Sequence, residues 1–193
     1  KTILLSCSML VLGSALFTSC DSRPDISGAW TGTPIRMNDI KGADLASATM
    51  TFVFANDSAG RKPEGGEVYI SALIDANQAV SAQNDNTIDI PYEVSVAATA
   101  SISGRWTYED RDDDDILIVL DAKSLQVIVD PHGVTFSNDI LTGKQQPVID
   151  SLSNATANAW TKSISTAISD RFHNISKISD IKINNGIMSC EIN

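Results

Sequence analysis

The chain has 193 residues, of which 42% are hydrophobic and 20% charged, and it carries a formal net charge of −10. That length is enough for one sizeable core. The acidity excludes a nucleic-acid binder, which needs a basic face to meet phosphates, and implies a soluble surface repelled by anionic lipid.

Lys1 precedes an apolar run from Ile3 to Phe17, closed by Thr18-Ser19-Cys20. A cationic start, a short apolar core and small residues before a cut describe a secretory signal. The run is shorter than the ~20 residues of a membrane-spanning helix. Leu16-Phe17-Thr18-Ser19-Cys20 resembles the lipobox of bacterial lipoproteins, with Phe17 departing from the strict pattern. The resemblance implies removal of residues 1–19, lipid attachment at Cys20, and a membrane partner reached through that anchor. It places the protein in the bacterial cell envelope, as an outer-membrane lipoprotein on the periplasmic or surface face. The alternative is a secreted protein cut near Ser19 with Cys20 unmodified. An acylated Cys20 leaves Cys190 as a buried thiol on a strand; an unmodified Cys20 allows a Cys20–Cys190 disulfide. Residues 20–25 read as a polar tether, and 26–193 as one domain.

The domain opens with a strand from Ile26 to Thr33, followed by a long loop, Pro34 to Ala46, that could arch over an opening. Ala48 to Ala55 alternates as a strand, with Met50, Phe52 and Phe54 on one face. Asn56 to Gly66 is turn chemistry. Glu67 to Asp75 is the next strand and Asn77 to Asn86 a polar loop. From Ile88 to Tyr108 every even position is apolar, small or aromatic, while the odd ones are mostly polar. Successive side chains on a strand point to opposite faces, so this is extended chain with one dry face. The length suggests two strands, broken near Ala97 to Ala100. Its Ile102-Ser103-Gly104-Arg105-Trp106-Thr107 repeats Ile26-Ser27-Gly28-Ala29-Trp30-Thr31, either as two similar half-barrels or as coincidence between strands with alike needs. After an acidic turn, Glu109 to Asp115, come strands at Ile116–Asp121, Leu125–Asp130 and Val134–Ser137.

The period then changes. Val148, Leu152, Ala155, Ala159, Trp160, Ile164, Ala167, Ile168 and Phe172 recur every three or four residues, predicting an amphipathic helix from Pro147 to His173. Strands at Ile178–Asn184 and Ile187–Ile192 close the chain through Asn184-Asn185-Gly186, a tight-hairpin signal. About nine strands with one helix and no βαβ alternation predict a mainly β protein, an antiparallel barrel of about 8–9 strands with one long helix before the final hairpin.

Gly28-x-Trp30 on the first strand, the up-and-down strands, the helix and the return strand resemble the lipocalin, or calycin, family. In that family the Trp plugs one end of the barrel, and the other end opens onto a small apolar ligand. The family's Thr-Asp-Tyr triplet and terminal-strand Arg are not found, so the better comparison is with lipocalin-like lipoproteins of Gram-negative bacteria. The resemblance implies a lipid-anchored envelope protein holding a small apolar or amphipathic ligand, with Trp30, Trp106 and Tyr108 as candidate ligand-binding residues. The alternative is an interaction lipoprotein with a filled barrel, contacting protein or glycan through its loops. The motifs that mark nucleophilic or phosphate chemistry do not occur, so no catalytic residue is named and an enzyme is not expected. No cofactor is implied. Glu109 to Asp115 lacks the central Gly and terminal Glu of a calcium loop, and His132 and His173 lack motif partners, so no metal ligand is named.

Overall fold

The structure, a computed structural model, describes residues 3–8, 23–57, 64–82, 90–109, 114–137 and 143–193. Cys20, residues 58–63 of the expected turn, 83–86 of the expected loop, Ile88 at the start of the alternating stretch, and the centre of the acidic run, 110–113, lie outside the described residues.

Strands hold 51% of the chain and form a nearly closed antiparallel barrel of seven strands, with one helix before the final hairpin. In chain order the elements are β1 (Ile3–Ser8), β2 (Gly28–Thr31), β3 (Ile35–Arg36), β4 (Leu45–Phe54), β5 (Gly65–Ala82), β6 (Ile90–Tyr108), β7 (Ile116–Leu120), β8 (Gln126–Val129), β9 (Thr135–Phe136), α1 (Gln146–His173), β10 (Lys177–Asn184) and β11 (Ile187–Ile192). Around the sheet the order is β2-β1-β11-β10-β7-β6-β5-β4-β3, and β2 also pairs with β4. Part of the apolar stretch read as a leader, Ile3–Ser8, therefore lies between β2 and β11.

β5 and β6 are the longest wall. They pair without interruption from Gly65 opposite Thr107 to Ala82 opposite Ile90. The expected break near Ala97 to Ala100 does not occur: these residues face Asp75, Ile74, Leu73 and Ala72 in unbroken register. β5 likewise runs on to Ala82 through the first part of the expected loop, because β6 offers it a continuous edge. The alternation holds, with Val94, Val96, Ala98, Ala100, Ile102, Trp106 and Tyr108 buried on the inner face. Ala98 and Ala100 keep that face thin beside β8, against which α1 packs.

β7, β8 and β9 are three pieces of one wall against the other edge of β6. A 3-10 turn separates each piece from the next, at Ala122–Ser124 and Pro131–Gly133. Each turn is opened by an Asp that accepts a backbone N–H two residues on: Asp121 from Lys123 at 3.0 Å, Asp130 from His132 at 2.9 Å. Both turns interrupt the ladder along β6, and α1 packs against β8 and the second of them.

The helix keeps its expected length but not the whole expected stripe. Ser153, Ala157, Trp160, Ile164, Ala167, Ile168 and Phe172 are buried, whereas Val148, Leu152, Ala155 and Ala159 face solvent. The four exposed positions are spaced four, three and four residues apart and so share one helix face, opposite the face of Ala157, Trp160, Ile164 and Ile168 that meets the core. Met37 and Ile40 of the long loop are buried, and Arg171 on α1 reaches the Arg36 carbonyl oxygen and sets its Nε 3.3 Å from Asp39 Oδ2. The loop is thus packed against the end of the helix. In the final hairpin Asn185 and Gly186 both take positive φ, +52° and +75°, as a tight two-residue turn demands.

Candidate functional site

The three aromatic candidates gather at one end of the barrel. Trp30 and Trp106 are among the largest fully buried side chains. Trp30 Nε1 donates to the Ile26 carbonyl oxygen at 2.8 Å, and Trp106 Nε1 to that of Ala55 at 3.0 Å. Trp106 meets Phe54 and Tyr108 edge to face, with ring centroids 5.8 and 5.5 Å apart. Satisfied indole N–H groups and edge-to-face rings are the geometry of packed core. The Tyr108 hydroxyl donates to the Pro24 carbonyl oxygen, and the Arg23 guanidinium lies 4.9 Å over its ring. The end of the tether is thereby fastened to the barrel.

The two copies of the repeated motif meet on one rung, Gly28–Phe54–Val68–Gly104. Their tryptophans then diverge. Trp30 pairs with Phe52 in register and bonds back within its own motif, while Trp106 sits opposite Gly66 and bonds across to Ala55. Gly28 has φ +118°, a conformation not shared by Gly104.

Chemistry for a ligand lies elsewhere, at the join between the helix and the broken wall. Ile102, Ile118, Leu120, Leu125, Phe172 and Ile175 line a cleft of about 240 Å³. Ser169, His173, Ser176 and Ala122 also border it. The first 3-10 turn shapes one side. Ser103 N–H donates to Ser124 Oγ at 2.9 Å and Asp121 N–H to the Ser103 carbonyl oxygen at 2.9 Å, which fixes the bulge against β6. Ligand pockets commonly run to roughly 300–1,000 Å³, so this cleft suits a small molecule or one short alkyl segment rather than a whole lipid. None of Trp30, Trp106 and Tyr108 borders it.

Three other depressions lie away from this join. One of about 390 Å³ beside β3 and β4 is bordered by Arg36, Ser47, Asp75 and Asn77. A second, at the second 3-10 turn, is lined by His132, Gln146, Asp150 and Asn154 among others. A third is a hollow on the outer wall at Leu73, Ala97, Thr99 and Ile128.

The sequence places Ile102, Ile118, Leu120 and Leu125 in strands and Phe172 in the helix, leaves Ile175 between elements, and gives no reason to gather them. The usable signal was Leu120-Asp121-Ala122-Lys123-Ser124-Leu125 followed by Val129-Asp130-Pro131-His132-Gly133-Val134. An apolar run is twice interrupted by an Asp-led turn at the same spacing, which is how a wall acquires two bulges.

The described ends of the acidic run are tied down by Lys177. Its Nζ lies 2.5 Å from Glu109 Oε2 and 2.7 Å from Asp115 Oδ2. The hydrogen bonds it donates to Asp115 first, then Glu109, hold the ammonium charged well above its ordinary range. Among the described residues no group of three or more His, Cys, Asp or Glu side chains converges to hold a metal ion, and no helix is long and apolar enough to cross a membrane. Cys190 is buried on β11.

No protein-family model, no curated protein and no solved structure matches the chain.

Proposed function

We propose that this chain is a lipid-anchored binding module of the bacterial envelope, held at the outer membrane through Cys20, that seats a small apolar or amphipathic ligand in the cleft between α1 and the β6–β7 wall. The observation that carries the reading is an apolar lining, Ile102, Ile118, Leu120, Leu125, Phe172 and Ile175, with Ser169 and His173 among its borders. Apolar walls supply affinity, and a few placed polar groups orient the ligand. The aromatic cluster then serves as scaffold, which moves the expected ligand seat from the tryptophans to the helix. The reading contains no catalytic step.

The test is saturable binding of the neutral dye N-phenyl-1-naphthylamine, competed by 1-octanol. Ala122→Trp, on an exposed turn at the cleft border, should abolish binding while leaving the thermal unfolding midpoint in place. Unchanged dye affinity in that variant contradicts the assignment.

A second reading is favoured by the outer wall. Leu73, Thr99 and Ile128 share one rung, and Leu73 and Ile128 are 63% and 59% exposed. An interaction lipoprotein with a filled barrel would contact its partner there, since the long loop is folded inward at Met37 and Ile40. Leu73→Lys would then remove partner binding without touching the dye.

A further inference from the structure

β11 pairs with β10 on one side and with β1 on the other. The β1 ladder runs over six positions, from Ile3 opposite Ile192 to Ser8 opposite Ile187. On its far side, among the described residues, β1 meets β2 at Ser8 with Thr31. One extended segment of this chain thus fills the seam between β2 and β11.

We propose that this seam is a strand-accepting slot. Once residues 1–19 are removed, it takes an extended, uncharged, proline-free segment of a partner protein, antiparallel to β11. The inference rests on the processing assumed above. Removal of the leader carries β1 away and leaves alternate residues of β11 with backbone N–H and C=O groups unpaired. Such an edge is a template for another strand, and protected edges usually carry Lys, Pro or a bulge. β11, Ile187-Met188-Ser189-Cys190-Glu191-Ile192, has no Lys or Pro and a single charge, Glu191, and β2, Gly28-Ala29-Trp30-Thr31, has no charge.

Direct closure of β2 onto β11 is opposed by the core. Neighbouring strands lie ~4.8 Å apart, so removing one leaves a gap of roughly two spacings to close. Trp30 on β2 and Met188 and Cys190 on β11 are buried, and drawing the two strands together would compress a packed interior. The segment already seated there states the chemistry of the occupant. Ile3-Leu4-Leu5-Ser6-Cys7-Ser8 is apolar and small, with an N–H at every residue for the ladder.

The experiment uses the processed protein isolated from its own membrane. Its intact mass reports whether residues 1–19 are gone. Hydrogen exchange of the segment 187–192 is then followed with and without a synthetic peptide of residues 1–8 carrying Cys7→Ser to prevent disulfide exchange. We expect the leader to be absent, exchange in 187–192 to be fast in the processed protein, and the peptide to slow it at least tenfold. The same peptide with Leu5→Pro should have no effect. If the leader is gone and 187–192 is slow without peptide, the barrel has closed on itself and the slot is overturned while the anchor reading stands. If the leader is retained, both fall together.

Discussion

The Trp106 indole N–H and the Ala55 carbonyl oxygen meet at 3.0 Å directly over Gly66. A Cβ on Gly66 would lie 1.9 Å from that same oxygen. The glycine is what lets the end of β4 cross the wall and satisfy a buried tryptophan. Gly66→Ala should push the Ala55 carbonyl away, combining overpacking with a lost hydrogen bond. The expected cost is about 3 kcal/mol, read by urea unfolding. A loss below about 1 kcal/mol would mean that this crossing is not constrained.

The tether is fixed by Tyr108, whose hydroxyl reaches the Pro24 carbonyl oxygen. Tyr108→Phe keeps the ring and removes that bond. The expected cost is about 1 kcal/mol, with faster hydrogen exchange across 23–27 and little change at Trp106. An unaltered exchange rate at 23–27 would show that the fastening lies in other contacts.

Helix α1 separates its own buried and exposed apolar positions. Ile164 is fully buried, whereas Val148 is 51% exposed. Ile164→Ala should cost about 3 kcal/mol, while Val148→Lys should change stability by no more than about 0.5 kcal/mol. Equal losses from the two would restore the continuous stripe suggested by periodicity alone.

That helix also shows how far the sequence could be read. Its ends are visible because Pro147 and the change of period from two to three or four mark them. Its burial is not, because the recurring apolar positions fall on two faces: Val148, Leu152, Ala155 and Ala159 lie opposite Ala157, Trp160, Ile164 and Ile168, and only the fold decides which face meets the wall. The even-numbered face of β6 was legible for the converse reason: alternation has one reading, and register with β5 carries it for the whole length. The supposed break at Ala97 to Ala100 arose from judging strand length alone, when it is the neighbouring edge that decides where a strand ends. The cleft was hidden because its residues come from β6, β7, a 3-10 turn and the helix end, and only the fold brings them together.

Lys177 gives a pH signature. Its hydrogen bonds to Asp115 and Glu109 raise its pKa above the ordinary 10.5. A raised folded-state value means that the stabilisation is fully present below pH 10.5 and is lost as pH climbs through the folded value. Hydrogen exchange around 114–115 should therefore keep its protection relative to Lys177→Gln from pH 7 to 9, and the difference should shrink in strongly alkaline solution. A difference that grows with alkalinity would contradict the pairing.

The most direct test of the ligand seat is a titration of the isoleucine-methyl-labelled protein with 1-octanol, followed by NMR. The account predicts saturable shifts of the Ile102, Ile118 and Ile175 methyls, with Ile70 and Ile74 inside the β5 wall unmoved. Shifts confined to Ile70 and Ile74, or no saturable shift at all, would contradict it.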